Sequence, residues 1–198
     1  KNYSFGAQKN NLINHASGSG KDFTIDNILT YCYQNPNTLK LLNQWLIKIK
    51  LNFEIEFIKV SQSPFILRGA VTDTVSKIKN IDLNHIGFGA YQAIRLIFIL
   101  ISFENKSIFL TEPEQNLHPK VHTRFAELME YSIINNKNKI FVETHSEILT
   151  LKILKMAKES KLLSPNDIKI NIVKRKQKES EVVLVKLDEN GKILNPWP

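Results

Sequence analysis

The chain has 198 residues, 42% of them hydrophobic and 23% charged, with 27 Lys and Arg against 19 Asp and Glu for a formal net charge of +8, a mix that suits a globular protein with one good-sized core. The apolar stretch "AIRLIFILISF" falls short of the ~20 residues that span a bilayer and contains Arg95, so no membrane partner is expected. A single cysteine, Cys32, excludes an internal disulfide, and with no signal-peptide pattern at the start a cytoplasmic location is expected.

Charge is spread along the chain, 10 basic against 6 acidic residues in 1–83 and 17 against 13 in 84–198. Such a surface is basic but unspecialised, while still permitting an acidic partner such as nucleic acid. The first residue is Lys rather than Met, and the chain is expected to be a piece of a longer protein.

Residues 1–23 are rich in Asn, Ser and Gly without a sustained period and read as loop. Helical spacing begins in "TIDNILTYCYQ" and resumes in "NTLKLLNQWLIKIKL", where Leu39, Leu42, Trp45, Leu46 and Ile49 share a face. "NFEIEFIKV" alternates Phe53, Ile55 and Phe57 with Glu54 and Glu56, and "SPFILRGAV" follows a Ser/Pro turn, so two paired strands are predicted. Residues 1–83 are thus read as a loop followed by a small α+β part.

From residue 84 the pattern changes to a glycine-containing turn, an apolar helix over 90–103, the strand "SIFLT", a helix over 119–134, the strand "KIFVET" and a helix over 146–158. Helices alternating with short apolar strands predict an α/β layer whose parallel strands are covered on both faces. "DIKINIVKRK" and "SEVVLVKLDENGKI" close the chain as a β-hairpin. Phe98, Ile99, Phe109, Phe125, Leu128, Phe141 and Ile148 are predicted core residues, and no chemistry is assigned to Cys32.

Three motifs stand where such a sheet places its chemistry, after the carboxyl ends of strands. In "SIFLTEPEQNLHP" the strand ends in Thr111, Glu112, Pro113 and Glu114, and a carboxylate there can orient a water or take its proton while the proline stiffens the turn. "KIFVETHSE" ends its strand in Thr144, His145 and Ser146, where an imidazole can bond a phosphate oxygen or a water. In "HIGFGAYQ", Gly87 and Gly89 precede a helix start, whose free amides favour an anion.

In their order and spacing these motifs resemble the C-terminal half of ABC-type P-loop ATPases. "GFGAYQ", "TEPEQNLHP", "ETHSE" and the closing "LDENGKILNPWP" narrow the resemblance to the SMC-like ATPases related to the OLD family, known from predicted ATPases of bacterial defence systems. The likeness covers residues 84–198 well and 18–83 more loosely. It implies an α/β fold in which 84–198 carry the signature, Walker B and histidine-switch motifs. It further implies that two subunits sandwich ATP with Mg²⁺, the closing and opening of this homodimer driving an effector protein.

Carried over residue by residue, the resemblance makes Gly87, Phe88, Gly89 and Gln92 the signature loop that docks on the γ-phosphate held by a second subunit. Glu112 becomes the catalytic Walker B glutamate and His145 the switch histidine. Asn116 and His118 fall in the D-loop, which touches the opposite subunit. The sequence departs from the pattern at Thr111, where Walker B strands usually place an acid for the Mg²⁺ water shell, so Thr111 and Glu114 are the candidate metal residues. It departs again at Tyr91, where related signature loops often carry Ser.

No phosphate-cradling G-x-x-x-x-G-K-[ST] occurs in the chain. "SGSGKD" has His15 and Asp22 at the wrong places, and Gly191-Lys192 is followed by Ile193, so the P-loop is expected in a missing N-terminal lobe. An ATPase-fold scaffold that no longer hydrolyses is the alternative reading. A zinc site built on Glu114, His118 and His122 lacks H-E-x-x-H, and Leu117-His118-Pro119 is explained as a turn into a helix with Pro at its first position. No nuclease domain is visible. The cluster Lys174, Arg175, Lys176 and Lys178 is read either as a solvated hairpin turn or as a phosphate contact.

Overall fold

A computed structural model describes residues 24–62, 65–159, 163–177, 179–189 and 192–194. The expected loop over 1–23 with its "SGSGK", together with Lys178, Gly191 and the closing residues 195–198, lies outside them.

The amphipathic segments near the start form helices α1 (Ile25–Gln34) and α2 (Pro36–Lys48). The Thr24 hydroxyl caps α1 by accepting from the Asn27 amide, and Pro36 opens α2, where its missing N–H costs nothing. Burial pushes the Cys32 thiol up to about 12, so it packs as an inert apolar group. β1 (Phe53–Gln62), β2 (Phe65–Asp73) and the short β3 (Ile81–Asp82) form an antiparallel sheet in the order β1-β2-β3. Asn43 of α2 donates to the Ile55 carbonyl and accepts from the Ile55 amide, both at 2.9 Å, occupying part of the edge that β1 leaves open.

Helix α3 (Phe88–Ser102) is apolar on all sides, and residues 96–101 are all buried. A helix of that kind needs neighbours around it. It packs against α1, α2 and α4 (Pro119–Asn136), with the Tyr31 ring edge-on to Phe98 at 5.3 Å and Trp45 edge-on to Tyr131 at 5.5 Å. At the far end of this layer the buried Asn138 side chain accepts from the Lys106 amide (2.9 Å) and donates to the Phe103 carbonyl (2.7 Å) and Ser132 hydroxyl (2.9 Å). The sequence "NNKNK" therefore tethers the start of one strand to the start of the next.

Those strands are β4 (Ser107–Thr111) and β5 (Lys139–Glu143), paired in parallel with Thr111 opposite Glu143. The architecture is α/β with a parallel pair attended by helices, as the sequence predicts. Among the described residues, helices cover one of the two strand faces rather than both. Exposure alternates along β4, with Ile108 and Leu110 buried but Phe109 and its partner Phe141 each 50% exposed and stacked on one another at 4.6 Å. Phe109 and Phe141 are thus not core residues, because a period of two sends them to the side that no described helix covers. Phe98, Ile99, Phe125 and Leu128 are buried as expected.

By contact density the chain divides into two units, the first ending at Ser146 and the second beginning at Glu147. The second contains helix α5 (Glu147–Glu159) and the antiparallel hairpin of β6 (Ile170–Arg175) and β7 (Ser180–Val185). Ile148, expected in the core, is 43% exposed, since the buried side of α5 is carried by Leu149, Leu154, Met156 and Ala157. In the basic cluster, Lys174 and Arg175 lie within β6 rather than in its turn, and Lys176 pairs with Glu181 at 2.8 Å, holding that carboxyl below its ordinary range. Among the described residues no helix is long and apolar enough to cross a membrane.

Candidate functional site

The site is assembled from the turns that leave β4 and β5. Because the strands are adjacent and parallel, both turns emerge at the same end. The ladder continues one residue beyond β4, where the Glu112 amide donates to the Glu143 carbonyl at 2.8 Å. Glu112 itself adopts a left-handed conformation with φ 45°, an uncommon one for a non-glycine residue that turns its side chain out of the strand path. Its Oε1 lies 3.3 Å from Nε2 of His145, with the two side chains 36% and 83% exposed. A carboxylate and an imidazole separated by 32 residues in sequence thus meet in an open position.

What holds the two turns together is Glu114. Its Oε1 accepts hydrogen bonds from the Thr144 hydroxyl (2.5 Å), the His145 amide (2.9 Å) and the Ser146 amide (3.1 Å). Oε2 is buried and makes no hydrogen bond among the described residues. Expected beside a metal, Glu114 is found clamping the backbone that presents His145.

Sequence reasoning assigned His122 no role beyond a rejected zinc site. In the fold its Nε2 lies 3.1 Å from the Leu117 carbonyl and its Nδ1 2.9 Å from the Ser146 hydroxyl. A carbonyl can only accept, so Nε2 carries the hydrogen and, in that tautomer, Nδ1 accepts from the serine. Both ring nitrogens are therefore occupied by protein groups. His118 is the N-cap of α4, its Nδ1 accepting from the Lys120 amide at 3.2 Å, with Pro119 next in line. One signal for His122 existed in the sequence, its place one turn into the helix that follows "NLHP".

The glycine motif joins the same cluster. A Cβ added to Gly89 would stand 2.3 Å from the Asn116 carbonyl oxygen, so the start of α3 and the 112–118 turn approach as closely as only glycine permits. Asn116 is itself left-handed, with φ 62°. Gly87 differs: it is the N-cap of α3, is exposed, and has no atom within 4 Å of an added Cβ. Beside it Phe88 is 68% exposed, while Tyr91 and Gln92 are half-buried. Gly89→Ala is expected to cost about 1–3 kcal/mol, as for other overpacked sites, whereas Gly87→Ala leaves the melting temperature nearly unchanged; thermal unfolding of both variants checks this.

Thr111 and Glu143, register partners at the strand ends, are both exposed. With Glu112 they place two carboxylates and a hydroxyl at the ends of neighbouring strands, oxygen groups of the type a hard divalent cation takes, while among the described residues no three His, Cys, Asp or Glu side chains are gathered around a common point.

A family model described as an AAA ATPase domain matches residues 8–150. An uncharacterised protein of Methanocaldococcus jannaschii is 31% identical over 125 residues, which make up 62% of this chain and 15% of that protein. Among solved structures, an SMC head bound to the C-terminal winged-helix domain of ScpA superposes with a TM-score of 0.56 at 14% identity, over 87% of this chain and 48% of that one. A structure of SMC ATPases, described by ATP-driven dimerisation and DNA-stimulated activation, gives 0.56 at 12% identity over 81% and 91%. The fold resembles the SMC ATPase head, and the chain spans about half of the first of these heads and a smaller part of the archaeal protein.

Proposed function

The chain belongs to the AAA ATPase domain family, and from that premise we propose that it supplies the hydrolytic half of an ATP site closed between two copies of the whole protein. The observation that carries this reading is the 3.3 Å approach of Glu112 and His145 across two parallel strand tips. Glu112 orients a water and takes its proton as the oxygen attacks the terminal phosphorus, and His145 donates a hydrogen bond to a phosphate oxygen or to that water. The exposed residues Gly87 and Phe88, with Gly89 and Gln92 behind them, face the phosphates held by the second copy. Asn116 and His118 lie on the turn that meets it.

Mg²⁺, when bound, neutralises charge on the phosphate oxygens, and the oxygen donors at the ends of β4 and β5 suit it. The phosphate cradle comes from another part of the whole protein, in keeping with the absence of a P-loop motif from this sequence. We further assign the protein to the OLD-related group, on "TEPEQNLHP" and "ETHSE", as the motor or sensor of a defence system with a separate effector. ATP-dependent dimerisation and a DNA partner follow by analogy with the SMC ATPases.

His145→Ala in the full-length protein is expected to reduce phosphate release from ATP by about 10²–10³-fold, the usual range for a lost hydrogen-bond donor at a developing charge. Turnover that survives the change intact removes the imidazole from the mechanism. One observation favours a second reading, a scaffold without turnover: the acid expected before Glu112 is Thr111. The wild-type protein in the same assay decides, since a scaffold releases no phosphate.

A further inference from the structure

Thr111 leaves the hydrolytic site one carboxylate short, and the strand register shows where a replacement stands. β4 and β5 pair in parallel, and the partner of Thr111 is Glu143. Two residues back, the register partners Phe109 and Phe141 lie side by side with their rings 4.6 Å apart and 10° from parallel. Partners on these strands therefore project together, and a period of two puts Thr111 and Glu143 on the same face as the phenyl pair. Neighbouring strands are ~4.8 Å apart, so the Glu143 side chain starts one strand spacing from that of Thr111, at the same level along the sheet.

Glu143 is also joined directly to the catalytic residue, because its carbonyl accepts the Glu112 amide at 2.8 Å. The rival source of an acid is Glu114, but its Oε1 already accepts three hydrogen bonds from residues 144–146, and its Oε2, though without a hydrogen bond among the described residues, is buried, whereas Glu143 is exposed at the strand end. Phosphoryl-transfer sites of the P-loop type hold their cation with a hydroxyl and a strand-end acid, the remaining positions being taken by water and phosphate. One or two protein carboxylates are sufficient for that.

We propose that Glu143 is the metal-facing acid of this site, standing in for the residue that Thr111 replaces. The inference rests on the ATP-site reading above and deepens it. Acid and hydroxyl have exchanged places across one rung of the ladder: Thr111 keeps the strand that leads to Glu112, and Glu143 supplies the charge from the strand that leads to His145. Its carboxylate accepts hydrogen bonds from the water shell of a divalent cation, and the Thr111 hydroxyl adds a neutral contact beside it. The substitution at 111 is then a relocation of the acid and no sign of an inactive scaffold.

The test uses the full-length protein, a non-hydrolysable ATP analogue and Mn²⁺ as probe, with free Mn²⁺ followed by electron paramagnetic resonance so that no turnover is needed. Glu143→Gln is expected to weaken Mn²⁺ binding to the nucleotide complex by about 10–100-fold, the range for lost groups around a metal's ligands. Binding of the analogue in EDTA should stay as in wild type. Adding Thr111→Asp to Glu143→Gln should recover most of the Mn²⁺ affinity, which a purely structural role for Glu143 would not allow and which also shows that the variants fold. Unchanged Mn²⁺ affinity in Glu143→Gln overturns the proposal, as does a double variant that recovers nothing. A wild-type protein that binds the analogue with no dependence on Mn²⁺ overturns the Glu143 role alone, whereas one that binds no analogue at all overturns the ATP site itself.

Discussion

Glu112→Gln in the full-length protein is expected to lower ATP hydrolysis by about 10²–10⁴-fold, the contribution typical of a positioned general base, while leaving nucleotide binding intact. Gln keeps the size of the side chain, and its amide can still reach the His145 ring that now lies 3.3 Å from Oε1. The backbone at φ 45° and the amide bond to the Glu143 carbonyl do not depend on the carboxylate. The negative charge and the ability to accept a proton are lost while the backbone contacts remain, so a fall in turnover without a fall in stability isolates the role of the carboxylate. Steady-state phosphate release, read beside binding of a fluorescent ATP analogue, checks both parts. If the protein closes on ATP as a dimer, sedimentation with ATP should show the dimer persisting in this variant and decaying in wild type. Hydrolysis at the wild-type rate would take Glu112 out of the mechanism.

Glu114→Ala is expected to be the most damaging single change outside the reacting groups. It strips one acceptor from three donors, the Thr144 hydroxyl and the His145 and Ser146 amides. Hydrogen bonds to a charged acceptor contribute about 1.5–3 kcal/mol each and are not additive, so a loss of about 3 kcal/mol is expected in denaturant unfolding. Turnover should fall as well, because the turn carrying His145 loses its Glu114 anchor on the 112–118 turn, leaving among its contacts the approach of His145 to Glu112 and the link from Ser146 through His122 to the Leu117 carbonyl. Glu114→Gln retains an oxygen acceptor and should recover much of the stability. Equal behaviour of the Ala and Gln variants would show that the clamp carries little energy. If Glu114 acted instead as the metal residue that its position in the sequence suggested, Gln would be as harmful as Ala to Mn²⁺ binding while stability stayed high.

Much of the architecture could be read in advance, for a definite reason. Amphipathic spacing, Pro119 at a helix start and the alternation in "FEIEF" are local signals, and local signals place elements without knowledge of the rest of the chain. The reading failed where a residue's environment depends on what lies across space. "SIFLT" and "KIFVET" look buried throughout, yet Phe109 and Phe141 are half-exposed, since apolar composition cannot say which faces receive a covering layer.

The motifs followed the same division. Glu112 and His145 were singled out in the sequence because each follows an apolar strand, and "GFGAYQ" was singled out as a helix start with free amides. The particular reason for Gly89, a carbonyl oxygen 2.3 Å from where its Cβ would be, lies 27 residues downstream at Asn116 and could not be seen there. His122 was visible only as a histidine near another. Its two bonds, to Leu117 and Ser146, exist because α4 folds back over both turns.

By itself the sequence determined the order of helices and strands and the class of fold, and it singled out Glu112 and His145 as groups at strand ends, since backbone propensity and strand-end position are written residue by residue. The tertiary structure alone decided that Thr111 stands opposite Glu143, that Glu114 faces the 144–146 turn, and that among the described residues no helix covers the Phe109 and Phe141 side of the parallel pair. Each of those depends on strand register and layer contact, which are settled by the free energy of the whole packed chain and leave no mark at any single position.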